Sequence, residues 1–316
     1  MRNDKEERPV AGPEQLIQQG IIARKYYLEG RTRVQIAEEF GLSRFKVARI
    51  LEEAVASGIV EIKVHAPETI DVELSRAVKD AFGLRRALAV RTAGEDEDAL
   101  RDGVGRVTAD LLSEIVTASD VLGVDCGRTI GRMTRHLETI EACDVVQLTG
   151  MAGAVDANSA ELVRRLTELG GGRAWSIYAP LVVSDTRTCG ALRGSRGIQE
   201  TLKHHGSVTK AVVSVGAWKP GLSQVYDLLH PTEAQNWGDK GVVAESCALL
   251  IDADGTRIDG LDDRRIGVSE ESLRNIDDVI AIAAGDAKAD AVQAVLKSGL
   301  VSSVVVDART AASLVR

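Results

Sequence analysis

Four short, nearly unbroken apolar runs constrain this chain most: VVQL at Val145–Leu148, VVSV at Val212–Val215, VIAIAA at Val279–Ala284 and SVVV at Ser303–Val306. A strand that is apolar on successive residues must be covered on both faces, which is the condition of a parallel sheet sandwiched between helices. The rest of the segment agrees. Strands are expected at Arg86–Arg91, Val121–Val124, Asp144–Leu148, Arg173–Tyr178 and Ala211–Val215, and helices at Ala99–Ala118, Thr129–Leu137, Ser159–Leu169, Gly197–His205 and Lys288–Lys297. The DADG turn after Ala248–Ile251 marks a hairpin. In such a sheet the ligand lies at the carboxyl ends of the strands, where strand-to-helix loops converge.

The first 66 residues read differently. Leu16, Ile17, Ile21, Ile22 and Leu28 recur at helical spacing up to Gly30. Thr32 can cap a second helix, Arg33–Phe40, with Val34, Ile36, Ala37 and Phe40 inward; Gly41 ends it. Ser43 can cap a third, whose apolar face is Val47, Ile50, Leu51 and Ala54. A short helix, a three-residue glycine turn and a longer helix form a helix-turn-helix, whose second helix enters the major groove with its first residues facing the bases. Those residues are Ser43, Arg44, Phe45 and Lys46, with Arg49 one turn on and Arg33 on the preceding helix. Alternation over Ile59–Val64 reads as a strand that could form a wing. Pro67 would end that strand, and Ile70, Leu74, Ala77, Val78 and Phe82 would start the next domain as an amphipathic helix. The same three helices could also be an ordinary small bundle with a solvated basic face.

Charge divides along the same line. Residues 1–64 hold 11 Lys and Arg against 10 Asp and Glu, so the other 252 residues carry −9 of the total −8. Contact with nucleic acid is therefore plausible only at the N-terminal end. An apolar content of 44% excludes a disordered chain. No window reaches the roughly 18 apolar residues of a membrane span, and MRNDKEERPV lacks the apolar block of a secretory signal, so a cytoplasmic protein without membrane contact is expected. Cys126, Cys143, Cys189 and Cys247 show no CxxC or Cys/His cluster and are expected reduced. No metal site is expected from His65, His136, His204, His205 and His230. Asp252, Asp254 and Gly255 resemble a calcium loop, but Arg257 and Asp263 stand where glycine and glutamate are needed, and a plain turn is the better reading. Trp175, Trp218 and Trp237 could stack on a sugar ring, although core packing is the commoner role.

Two loops could hold an anion. After the strand ending at Val124, the turn DCGRT places peptide N–H groups of Gly127, Arg128 and Thr129, and the Thr129 hydroxyl, at the start of a helix. After Ala284, Gly285 gives a tight turn and Lys288 projects from the next helix. No GKS, GKT or GxGxxG occurs, so nucleotide hydrolysis and dinucleotide binding lose support, and no cofactor is expected. Asp185, Arg187 and Thr188 form a polar stretch that could meet ligand hydroxyls or merely be solvated.

The stretch QIAEEFGLSRFKVARILEEAVASGIVEIKV closely resembles the DNA-binding segment of the SorC family of sugar-responsive bacterial transcription regulators. Phe45 and Lys46 stand where many members carry Pro and Thr. The resemblance continues through GxxxGRT at Gly123–Thr129, LTG at Leu148–Gly150 and the phrase from Arg264 to Asp307, and so covers nearly the whole chain. It implies an effector domain similar in fold to sugar-phosphate isomerases, with phosphorylated sugars or polyols as inducers. On that resemblance Gly127, Arg128, Thr129 and Lys288 become phosphate ligands, with Arg265 a further contact. Asp125, Gly150, Asp185 and Gly285 complete the expected effector set. Where many members have GGxK, this chain reads AGDAK, and Asp286 adds a negative charge there.

The expected protein has a small all-α helix-turn-helix domain, winged, at residues 1–66 and a large Rossmann-like α/β effector domain with a mostly parallel sheet at 67–316. Its partners would be operator DNA, a sugar or sugar-phosphate effector and further copies of itself, a dimer or a tetramer. The alternative is an isomerase or deaminase with an added domain, using Asp125, Asp185 or Asp286 as base.

Overall fold

The computed structural model describes residues 12–61, 69–152 and 159–316, which divide into two compact units meeting between His65 and Ala66. In the smaller unit the helices are Pro13–Tyr27, Arg33–Phe40 and Arg44–Ala56. Thr32 and Gln35 form a reciprocal capping box on the second helix. Gly41 closes that helix in the left-handed region, with φ 62°, where a side chain would be strained. The Ser43 hydroxyl accepts the peptide N–H of Lys46 and starts the third helix. The core is Ile22, Ala23, Ile36, Ala37, Val47, Ile50, Leu51 and Ala54.

One expectation fails here, the inward packing of Val34, and the described start of the expected wing strand is not extended. The core takes a single stripe of the first helix, Gln19, Ile22 and Ala23, so Leu16, Ile17, Ile21 and Leu28 stay exposed, as does Val34 on the second helix. A three-helix core of eight residues has no further side to cover them. As for the wing, Ile59, Val60 and Glu61 belong to no strand, and the Val60 N–H instead bonds the Ala54 carbonyl to finish the third helix. Ile62–Val64, His65 and Pro67 lie outside the described residues.

Among the described residues, the larger unit has an eight-stranded sheet. Its strands are β1 (Ile70–Asp71), β2 (Arg86–Val90), β3 (Val121–Val124), β4 (Asp144–Gln147), β5 (Ala174–Trp175), β6 (Lys210–Ser214), β11 (Asp278–Ala283) and β12 (Ser303–Asp307). A smaller antiparallel sheet is built from β7 (Gly216–Ala217), β8 (Ala244–Ser246), β9 (Leu249–Ile251) and β10 (Arg257–Ile258). The large sheet runs β1-β2-β12-β11-β6-β3-β4-β5, parallel at every pair except the edge pair β1/β2. The mostly parallel α/β class is thus as expected.

Burial on both faces explains the apolar runs. In β11, Ile280 and Ile282 join one core with Val124, Val212 and Val305, while Ala281 and Ala283 join the opposite core with Val213, Val146 and Val306. The order in which successive strands are added reverses between the parallel neighbours β3 and β6: β3 leads outward to β4 and β5, whereas β6 leads the other way to β11 and β12. That reversal opens a crevice beyond the strand ends.

Local departures have local causes. Ile70 pairs with Val90 as an edge strand, so the helix begins only at Val72, capped by Asp71. The strand expected over Arg173–Tyr178 shrinks to Ala174–Trp175, because the Ile177 N–H is taken by the Gln147 side chain rather than by a ladder. Asp185, Arg187 and Thr188 are not loop residues: Asp185 caps the helix Thr186–Arg193 by accepting the Thr188 N–H. The DADG segment is a hairpin turn, with Asp252 accepting the N–H groups of Asp254 and Thr256. All four cysteines are buried thiols. Trp218 and Trp237 are core residues, and Trp175 stacks on His204 at 3.6 Å between ring centroids. No described helix is long and apolar enough to cross a membrane.

Candidate functional site

Beyond the carboxyl ends of three neighbouring strands, β3, β6 and β11, lies a pocket lined by Arg101, Asp125, Arg128, Thr129, Ser214, Gln224, Glu245 and Lys288, among others. Each strand supplies part of it. After β3 the chain turns through Asp125–Gly127 into the helix Arg128–His136, which opens with no side-chain cap. Its first N–H groups therefore face the pocket with the positive end of the helix dipole. A Cβ at Gly127 would come within 2.9 Å of the Ser214 Cβ, so a glycine lets the β3 turn pass the end of β6.

After β11, Gly285 adopts φ 98°, a conformation that disfavours other residues, and swings Lys288 back over the sheet. Lys288 sits on a short 3-10 turn, Asp286–Lys288, before its helix rather than in the helix's first turn. Its Nζ donates to the Val215 carbonyl at 2.7 Å. The Arg128 guanidinium likewise donates to the Gly221 carbonyl. Both cations thus rest on main-chain oxygens that an anion could replace. Burial, and next the Arg128 charge, pulls the Lys288 ammonium down to about 8. Arg101, from the helix Glu97–Ile115, adds a third cation and is ion-paired to Glu97.

Two buried carboxyls face these cations. Asp125 is saturated: it accepts the Thr149 hydroxyl at 2.6 Å, the Cys126 N–H at 2.7 Å, and both the N–H and hydroxyl of Ser214. Burial still outweighs these bonds and raises its proton affinity. Glu245, on β8, accepts the Ser223 hydroxyl at 2.9 Å and the Ala248 N–H at 3.2 Å. Burial and then the Asp125 charge push it up to about 7. A Cβ on Gly216 would lie 2.0 Å from a Glu245 oxygen, so the glycine makes room for this carboxylate. Cations able to hold an anion beside Glu245, whose two donors leave it room to accept a hydroxyl, suit a polyhydroxylated ligand bearing negative charge.

Of the expected effector residues, Asp125, Gly127, Arg128, Thr129 and Lys288 come together in this pocket. The others do not line it. Gly285 shapes the turn, and its N–H is already held by Asp307. Gly150 packs against Pro180, whose carbonyl oxygen would lie 2.6 Å from an added Cβ. Asp185 is an exposed helix cap. Arg265 is buried, bonded to Asp262 and the Val268 carbonyl, and faces a separate polar cavity with Arg193 and His205. Asp286 is exposed and lines no part of the pocket. Sequence reasoning missed Arg101, Ser214, Gln224 and Glu245. Only the end of an apolar strand at Ser214 carried a signal, since Arg101 and Glu245 are ordinary charges until the fold buries them.

In the smaller unit, Arg33, Ser43, Arg44, Phe45, Lys46 and Arg49 are all exposed. The Arg44 guanidinium lies 4.9 Å from the Phe45 ring centre, and Arg49 pairs with Glu53 at 3.4 Å.

The family described as "Putative sugar-binding domain" matches residues 67–316, and the chain belongs to that family. The kinship with SorC-type sugar-binding transcription regulators expected from the sequence is borne out with it. Among similar proteins are the transcriptional regulator YjhU of Escherichia coli (strain K12), 29% identical over 90% of both chains, and the deoxyribonucleoside regulator of Bacillus subtilis (strain 168), 26% identical over 93% of this chain and 95% of the relative. Among solved structures, the full-length sorbitol operon regulator SorC of Klebsiella pneumoniae superposes with a TM-score of 0.73 at 20% identity, covering 96% of this chain and all of that one.

Proposed function

We propose that the chain is a transcription regulator in which residues 1–66 bind operator DNA and residues 67–316 bind a sugar phosphate or a related sugar or polyol that changes operator affinity. The observation that carries this reading is the convergence of Arg101, Arg128 and Lys288 on one pocket beside Asp125 and Glu245, in a chain that also exposes Arg44, Lys46 and Arg49 at the start of a capped helix. The DNA contacts are Arg33, Ser43, Arg44, Phe45, Lys46 and Arg49. The effector contacts are Arg128, Thr129, Lys288 and the first-turn N–H groups for the anion, with Glu245 for hydroxyls and Asp125 fixing the β3 turn through Thr149 and Ser214. Two half-sites require at least a dimer, and a tetramer built as two dimers satisfies the same demand.

An enzymatic reading gains nothing from the pocket, since Asp125 has its oxygens engaged by four donors and Asp185 and Asp286 lie elsewhere. The test is a gel-shift titration of duplexes selected by the full chain. The double variant Arg44→Ala/Lys46→Ala should lose at least about ten-fold in DNA affinity, as removal of two charged contacts does, while keeping effector binding. Unchanged operator affinity in that variant refutes the DNA-binding assignment, and turnover of phosphosugars by the purified protein refutes the regulatory one.

A further inference from the structure

The third helix of the smaller unit carries an aromatic side chain that its packing does not use. Phe45 is 73% exposed. At 3.6 residues per turn, the buried Val47, Ile50, Leu51 and Ala54 centre about 190° round the helix from Phe45, so the phenyl points directly away from the core. Arg49 lies only about 40° from it on the same outward face. Phe45 is the second residue of the helix, where the Ser43 cap fixes the backbone, and the Arg44 guanidinium covers its ring at 4.9 Å. A phenyl group held in water by a cap and a cation, and ringed by the exposed Arg44, Lys46 and Arg49, is placed for a polyanion with an apolar feature at its centre.

We infer that Phe45 reads the 5-methyl group of thymine, making it a specificity-determining residue of the DNA contact. The inference rests on the operator-binding reading above. The first turn of a groove-reading helix faces base edges. A phenyl ring carries no hydrogen-bonding group and cannot use the donor and acceptor pattern there. The apolar group on that edge of the duplex is the thymine methyl, which the unmodified other bases lack. The flanking cations hold phosphates or guanine edges and set the position, while Phe45 contributes discrimination and no charge.

The test begins with the full chain and random-sequence duplexes, from which a preferred duplex is selected. Each thymine of that duplex is then replaced singly by deoxyuridine, which removes only the methyl group. For the native chain, one replacement per half-site should weaken binding about four-fold, the factor expected when one buried methyl group is lost. Phe45→Ala should bind the parent duplex more weakly, show the same salt dependence, and be indifferent to that replacement. Phe45→Leu should retain part of the sensitivity. Native protein indifferent to every replacement, or Phe45→Ala as sensitive as the native chain, overturns the inference while leaving DNA binding standing. Failure of the native chain to select any duplex, with no salt-dependent binding, instead overturns the operator-binding reading and this inference with it.

Discussion

Replacing Glu245 by Gln probes the pocket's electrostatics through stability. In the folded chain burial and the Asp125 carboxyl hold the Glu245 pKa at about 7, against an ordinary value of 4.5. The unfolded chain therefore releases this proton near pH 4.5, whereas the folded chain keeps it until near pH 7. Across that window the folded state binds more protons, so stability falls as pH rises, and the whole loss is in place above pH 7. The difference corresponds to about 3 kcal/mol. Glutamine is close in shape: its carbonyl oxygen can accept the Ala248 N–H, and its amide can donate to the Ser223 oxygen. Glu245→Gln should accordingly unfold at higher urea than the native chain at pH 8, by up to about 3 kcal/mol, and match it near pH 4 within about 0.5 kcal/mol. The three tryptophans, Trp175, Trp218 and Trp237, all lie in the larger unit, so their fluorescence reports its unfolding alone. Protein concentration must be held fixed, because association would shift the transition. A pH-independent difference between the two proteins, or a variant less stable at pH 8, would refute the reasoning.

Affinity for inorganic phosphate, followed by calorimetry, should fall as pH climbs through about 8, where the Lys288 ammonium loses its proton, and Lys288→Arg should remove that dependence. Gly150→Ala should destabilise the larger unit by about 1–3 kcal/mol in urea melts read by tryptophan, since the new methyl group meets the Pro180 carbonyl at 2.6 Å. Ser43→Ala should cost the smaller unit about 1 kcal/mol through loss of its helix cap, seen by far-ultraviolet circular dichroism with the tryptophan transition unchanged.

Much of the fold was legible because its signals are local. The strand Val121–Val124 and the helix Arg33–Phe40 were read to the residue, the first from an apolar run and the second from Thr32 and Gly41 at its two ends. The GRT turn and Lys288 were found because glycine turns after apolar strands announce helix starts. Glu245 could not be found this way. Nothing in AES marks it, and its character arises only when the β8–β9 hairpin buries it against Gly216 and Asp125. The exposed stripe of Leu16, Ile17 and Ile21 shows the reverse limit: periodicity identifies the helix, but not how many of its apolar residues a small core can accept. Arg173–Tyr178 shortened because a side chain, Gln147, took a bond that strand propensity assigns to the backbone.

The most direct measurement is operator affinity with and without a sugar phosphate that stabilises the native chain, repeated with Arg128→Ala. The native chain should change its DNA dissociation constant about 5- to 150-fold on adding the ligand, the usual span of coupling between two sites. Arg128→Ala should bind DNA normally without ligand and lose the response. Identical operator affinity at every ligand concentration in the native chain, or a full response surviving in Arg128→Ala, would contradict the coupling of this pocket to DNA binding.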